Sequence, residues 1–276
     1  MSITIEIEDF YPYSYQPIVR YGGDYPPHPI IEPILAKNLK QYEETLRQFA
    51  ELSSDFLKIS RDFDASQPHA PYWINGFFPG LDSITLYGII STQKPNIFCE
   101  IGSGNSTKFA VAAKAAHSPN TKIISIDPEP RAEVDQICDT MIRKPLQECD
   151  LSIFQSLQAG DILFLDGSHR TLQNSDATIF FLEIFPLLKS GVIVQVHDIF
   201  WPFDYPLAWS KRMYSEQYLL GALLIYAQDK IDVLLPNAYI SHYQKLTAIF
   251  HEIWNAPALE GIETHGASFW FTKKEP

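Results

Sequence analysis

The chain has 276 residues, 46% of them hydrophobic, with 33 acidic against 21 basic side chains and a net charge of −12. That length buries a full-sized core as one large domain or one domain with an appendage. The acidic balance disfavours a nucleic-acid partner, because attraction to a phosphate polymer needs clustered cations. No stretch of about eighteen uncharged apolar residues occurs, and the opening MSITIEIEDF lacks the basic segment and apolar core of a secretion signal. No membrane association and a cytoplasmic location are therefore the expectation. Cys99, Cys138 and Cys149 are odd in number and show neither CxxC nor Cys/His ligand spacing, so reduced thiols are expected rather than disulfides or zinc.

Residues 1–33 are rich in Tyr and Pro and lack periodicity, which predicts an irregular N-terminal arm. From Leu35 to Ile59 apolar residues recur every three or four positions, predicting an amphipathic helix of about seven turns. Its recurrence at 35, 42, 49 and 56 admits two readings: a face packed on its own domain, or a seam that builds a homodimer or higher homo-oligomer. The segment PYWINGFFPGLDS is aromatic and glycine-rich, and Leu81 to Lys94 reads as a helix ending before Pro95. Residues 34–95 are thus expected to form a helical cap.

Beyond Asn96 strands and helices alternate. Strands are predicted at Ile97–Ile101, Lys122–Ile126, near Pro145–Glu148, at Ile162–Leu165 and at Val192–Val196. Helices are predicted at Ser106–His117, Arg131–Ile142 and Leu172–Leu188. The C-terminal part adds helices at Ser215–Ala227 and Tyr239–Trp254, with strands at Ile231–Leu235 and Ala267–Thr272. Repeated β-α units with continuous apolar strands imply an α/β, doubly wound, Rossmann-like fold: a mostly parallel seven-stranded sheet with an antiparallel last strand, spanning residues 96–276.

In such a sheet ligands sit beyond the carboxyl ends of the strands where strand order reverses, the position of Gly102 and Gly104 in NIFCEIGSGNST. Asp127 ends the next strand, about two dozen residues on, where a carboxylate accepts hydrogen bonds from both ribose hydroxyls. A nucleoside ligand follows. A dinucleotide fingerprint wants a third glycine where this chain has Thr107, and does not need Glu100 inside the motif, which disfavours NAD and FAD.

Asp166 and Asp198 each end an apolar strand. If those strands are neighbours about 5 Å apart, both carboxylates overlook one cleft, where a hard divalent ion with oxygen ligands, Mg²⁺ or a close relative, would neutralise them. The alternative is that one caps a helix and the other is solvated. His169, three residues past Asp166, has a side chain suited to taking a proton from a substrate hydroxyl at neutral pH; its alternative is a histidine bonded to backbone at a helix start. Strand alternation turns His197 away from Asp198's face unless the chain bends there. His197 is a candidate nitrogen ligand or an orienter of the ligands. The other histidines, His265 among them, have no partner at ligand spacing and are expected to be structural or exposed. The aromatic segments Tyr72 to Phe78 and Phe200 to Tyr205 read either as core or as walls for an acceptor's apolar body.

The motifs EIGSG, SIDPE, DILFLDGSH and VHD together resemble class I S-adenosylmethionine-dependent methyltransferases, over roughly Asn96 to Lys273. More narrowly, DGSH followed by HDIFWPFDYP is similar to the metal-assisted O-methyltransferase group that includes macrolide sugar methyltransferases. The resemblance implies that Glu100, Gly102, Gly104 and Asn105 line the methionine end of the cofactor and that Asp127 binds its ribose. It also implies that the segment around Cys149 and Asp150 meets the adenine. Ser106 and Thr107 are expected to cap the helix or hydrogen-bond the cofactor.

The function expected is methyl transfer from S-adenosylmethionine to a hydroxyl of a small molecule, metal-assisted through Asp166, Asp198 and His197, with His169, Asp166 and Asp198 catalytic. The alternatives are an NAD-dependent oxidoreductase or epimerase on the same fold, and a nucleoside-binding protein without catalysis.

Overall fold

A computed structural model describes residues 17–130 and 132–275; most of the expected arm lies outside them. Seven strands form one sheet: β1 (Ile97–Ile101), β2 (Lys122–Ile126), β3 (Thr140–Ile142), β4 (Ile162–Leu165), β5 (Ile193–Val196), β6 (Ile231–Pro236) and β7 (Phe269–Lys273). Their order is β3-β2-β1-β4-β5-β7-β6. All pairings are parallel except those of β7, which runs antiparallel to both β5 and β6. β4 and β5 are buried at every position, as strands covered by helices on both faces must be. The chain winds outward through β2 and β3, then returns to the other side of β1 with β4. The crevice between the ends of β1 and β4 is therefore where a ligand is received.

Four predicted elements differ. The long N-terminal helix is divided into Ile31–Ala36, Leu39–Ala50 and Ser53–Phe56. At the first break Asn38 spends its amide on the carbonyl of Val233 in β6, 3.1 Å away; at the second, Glu51 and Leu52 form a turn in which their N–H groups bond the carbonyls of Gln48 and Phe49. The 35/42/49/56 face is buried inside the chain: Leu35, Tyr42, Phe49 and Phe56 are all 0–1% exposed, and Phe49 sits against Gly88, where a Cβ would come within 2.4 Å of its ring. This stripe is therefore spent on the chain's own body and leaves no seam for a second copy.

The predicted helix over 131–142 is a single turn at Asp135–Ile137 followed by β3. Asp139 holds the chain extended, accepting the backbone N–H of Ile123 at 2.8 Å and the Lys114 ammonium at 2.6 Å. The strand expected near Pro145–Glu148 is a 3₁₀ turn, as suits a segment opened by a residue with no N–H to donate. The helix expected over 239–254 is interrupted where Ser241 and His242 bond back to the carbonyls of Asn237 and Ala238.

Among the described residues no helix is long and apolar enough to cross a membrane. One continuous core runs from Ile31 through the sheet to Phe271, and helix Gly80–Gln93 is buried along almost its whole length. That helix brings Asp82, an acid inside an apolar run, under the sheet's ligand-binding edge.

Candidate active site

The turn after β1 is pressed onto the end of β4. Gly102 has φ +83°, and a Cβ there would lie 1.8 Å from the carbonyl oxygen of Asp166, so the position requires glycine. Gly104, with nothing within 4 Å of its notional Cβ, leaves room above the turn. That room belongs to a cavity of about 420 Å³ lined by the turn 101–106, by Ile126 to Glu129, by Lys144 to Gln147 and by Asp166 to Ser168, a size suited to a small-molecule cofactor.

Gly102, Gly104, Asn105 and Asp127 all line this cavity. Asp127 is fixed by the backbone N–H groups of Ser103 and Glu129, each 2.8 Å from one of its oxygens. Glu100 lies beneath the turn rather than on the cavity wall: it is fully buried and accepts the hydroxyls of Ser106 and Thr107 at 2.5 Å. Burial pushes its carboxyl up to about 8, against the lowering effect of those hydroxyls. Thr107 also accepts the N–H of Gly104, at 3.1 Å, and so caps helix Asn105–His117. The wall expected from Cys149 and Asp150 is supplied instead by Lys144 to Gln147; Asp150 caps the following turn through the N–H of Ser152.

A second cavity, about 470 Å³, adjoins the first and shares Asp166 and Phe77 with it. Leu165 of β4 pairs with Val196 of β5, so Asp166 and His197–Asp198 leave the sheet side by side. Asp198 has φ +54° and His169 φ +60°; the bend at Asp198 brings His197 onto the same cleft as its neighbour. Non-glycine residues held at positive φ gather where a structure positions chemistry.

The four groups interlock. His169 Nε2 lies 3.2 Å from Asp166 and 3.6 Å from Asp198, while its Nδ1 is bonded to Glu216. His197 Nδ1 lies 3.5 Å from Asp166 and 3.6 Å from Asp198, while its Nε2 is 3.2 Å from Asp82. Asp82 is itself anchored by the N–H groups of Ala267 and Ser268 and by the Asn237 amide.

Burial opposes charge on both imidazoles, yet the surrounding carboxylates raise both pKa values well above the ordinary 6.5: chiefly Glu216 and Asp166 for His169, Asp166 and Asp198 for His197. Burial would raise Asp166, but the two imidazoles hold it well below the usual carboxylate range. Asp198 is raised, by burial first and then by the charges of Asp166 and Asp82, against the pull of the imidazoles. With Glu216 at one nitrogen and Asp166 and Asp198 near the other, the surroundings of His169 favour its protonated form.

Asp82 and Glu216 were not singled out by the sequence, although an acid inside LDSITLYGII or SEQYLLGALL is the signal of a buried charge with a partner. Of the aromatic segments, Phe77 and Phe200 reach the second cavity, joined by Trp209 and Tyr214, while Trp73 and Trp201 are core. His265, expected to be structural or exposed, lines this cavity as well.

The donor set does not fit the expected magnesium. Mg²⁺ takes oxygen ligands, whereas two of the four groups facing the cleft are imidazoles. The outer nitrogen of each ring is bonded to a carboxylate, Glu216 for His169 and Asp82 for His197, and the inner nitrogen faces Asp166 and Asp198. Among the described residues, no three His, Cys, Asp or Glu side chains are disposed to hold a metal ion.

Residues 99–199 match a family model described as methyltransferase domain. An uncharacterized protein of Archaeoglobus fulgidus is 32% identical over 93 residues, covering 32% of this chain; the chain spans 42% of the length of that curated relative. Similar solved structures include an O-methyltransferase from Bacillus cereus in complex with SAH, 11% identical, covering 84% of this chain and 91% of that one at a TM-score of 0.42. The SAH-bound methyltransferase of Podospora anserina is 15% identical, with 87% and 96% covered and a TM-score of 0.43. The segment that matches the methyltransferase domain model, residues 99–199, runs from β1 to just past β5 and includes the glycine turn at the sheet's switch point.

Proposed function

We propose that the protein transfers a methyl group from S-adenosylmethionine to a hydroxyl oxygen of a small molecule. The observation that carries this reading is the sharing of Asp166 between a nucleoside-sized cavity and a cavity lined by a carboxylate–imidazole cluster and aromatic rings. Asp127 would hold the ribose and the turn at Gly102–Asn105 the methionine end. The sulfonium then faces the shared boundary, and the acceptor lies among Phe77, Phe200, Trp209 and Tyr214.

The bond forming is from acceptor oxygen to methyl carbon, and the bond breaking is from that carbon to sulfur. The proton of the hydroxyl passes to Asp198, the cleft carboxylate whose proton affinity is raised. His169 and His197 offset the charge that develops on oxygen. Alignment of the two reactants supplies a further large share of the rate.

Calorimetry with S-adenosylhomocysteine and with NAD tests the cofactor: binding of the former alone is expected, and preference for NAD would sink the reading. Asp127→Ala is expected to weaken S-adenosylhomocysteine binding by about 10- to 100-fold, the effect of losing hydrogen bonds to a charged acceptor. Unchanged affinity would remove Asp127 from the ribose site.

A further inference from the structure

We propose that a third cavity binds the body of the methyl acceptor, and that the acceptor is an apolar aromatic compound bearing an anionic oxygen group held by Arg170. This rests on reading the adjoining cleft as the site of methyl transfer, and names the class of molecule that enters it.

The cavity has a volume of about 330 Å³ and shares Pro206, Trp209 and Tyr214 with the carboxylate–imidazole cleft. An acceptor longer than the cleft therefore continues into it. Ile18, Leu172, Leu207 and Met213 line it and are nonetheless 46–71% exposed. Apolar side chains left in water around one concavity mark a surface that a ligand covers. Tyr214 stands edge-on to Trp209 and to Tyr205, with ring centroids 5.6 and 5.9 Å apart, an aromatic wall on which a further flat ring packs.

Hydrogen bonds hold this wall in place without a ligand. The N–H of Thr171 bonds the Ser215 hydroxyl at 2.8 Å, and the N–H of Ser215 bonds the carbonyl of His169, also at 2.8 Å. Asp204 fixes the N-terminal side of the cavity by accepting the N–H groups of Arg20 and Tyr21 at 2.7 and 3.1 Å.

Two charged side chains line the cavity, Asp204 and Arg170. Asp204 is spent on those backbone groups. Arg170 donates its Nε–H to the carbonyl of Arg212 at 2.9 Å, and among the described residues it makes no ion pair. Its two terminal amino groups are left to donate. That fork matches the paired oxygens of a carboxylate or a phosphate, and it stays charged at every working pH. In a mostly apolar pocket one such group fixes the ligand's orientation. The anionic end then lies at Arg170, the ring against Trp209 and Tyr214, and the hydroxyl reaches across them into the cleft.

The test titrates the full-length protein with two fluorescent probes, 8-anilinonaphthalene-1-sulfonate and N-phenyl-1-naphthylamine, which share an aromatic body and differ in the anionic group. The sulfonate is expected to bind at one site per chain, about 10- to 100-fold more tightly than the amine, the effect of hydrogen bonds between charged groups. Arg170→Met is expected to erase that preference while leaving the amine's affinity within about threefold. Leu172→Glu, on the exposed rim, is expected to weaken both probes by about tenfold or more. 1-Naphthoate and 1-naphthyl phosphate are expected to displace the sulfonate, and the tighter of the two identifies the anion as carboxylate or phosphate.

No saturable sulfonate binding, as when another part of the chain or a second copy fills the cavity, would overturn the proposal. So would a preference that survives in Arg170→Met, or a failure of both competitors. For an acceptor that the enzyme turns over, Arg170→Met is expected to raise KM by about tenfold or more with kcat changed by less than about threefold; an unchanged KM would remove the acceptor from this cavity. The probe titrations need no cofactor, so failure of the methyltransferase reading is seen separately, as an absence of S-adenosylhomocysteine binding.

Discussion

Asp198→Asn is expected to lower kcat by about 10²- to 10⁴-fold, the range that a positioned proton acceptor contributes. The substitution isolates that role unusually well. Asp198 sits at φ +54°, a conformation in which asparagine is the best tolerated residue apart from glycine, so the bend that brings His197 into the cleft should persist. The side chain keeps its shape and loses its charge. The cofactor cavity is lined by Asp166 and not by Asp198, so affinity for S-adenosylhomocysteine is expected to stay within about threefold, the sign of an interaction used in the reaction rather than in binding.

The native enzyme should also lose activity on the acid side through a limb above the ordinary carboxylate value. Burial and the neighbouring acids raise Asp198 from 3.8, and the limb belongs to the coupled cluster rather than to one residue. Steady-state kinetics with a responding acceptor checks both statements. Turnover by the variant within a few-fold of native would remove Asp198 from the proton's path.

The sequence was most legible where burial acts on a whole segment. β1, β4 and β5 are mostly apolar runs, interrupted only by Glu100 in β1 and Gln195 in β5 and followed by a glycine, an acid or a histidine, because a strand covered on both faces has no solvent side to show. The residues just past those runs, Gly102, Asp166 and His197–Asp198, fall in the cleft by register alone. β3 was not legible: it is three residues long, mostly exposed, and fixed by Asp139 reaching back to Ile123 and Lys114, a tertiary pairing that periodicity does not record. The same holds for the outer carboxylates. Asp82 and His197 are 115 positions apart, and Glu216 and His169 are 47 apart, so each acid stands out only as a charge in an apolar stretch. The surroundings of His169 were not legible for this reason, since the carboxylate at its Nδ1 belongs to Glu216.

Glu100→Gln is expected to gain stability relative to the native protein as pH rises from about 4.5 to about 8, by roughly 4 kcal/mol in all. Glu100 is fully buried, and its carboxyl is pushed up to about 8 from an ordinary 4.5. Below pH 4.5 the group is protonated in both folded and unfolded chains, and its contribution to stability is fully present. Between those values the unfolded chain releases the proton while the folded chain retains it, so native stability falls by about 1.4 kcal/mol per pH unit. Above the folded value both states are ionised and the loss is complete. Glutamine has no proton to release and escapes this slope. It still presents an oxygen to one of the two hydroxyls, Ser106 or Thr107, that hold Glu100, and its absolute stability at low pH is expected to be slightly lower for the hydrogen bond it mismatches. Denaturant unfolding of both proteins at several pH values between 5 and 8.5, without cofactor, measures the divergence; curves that stay parallel would show that Glu100 is ionised beneath the turn at neutral pH.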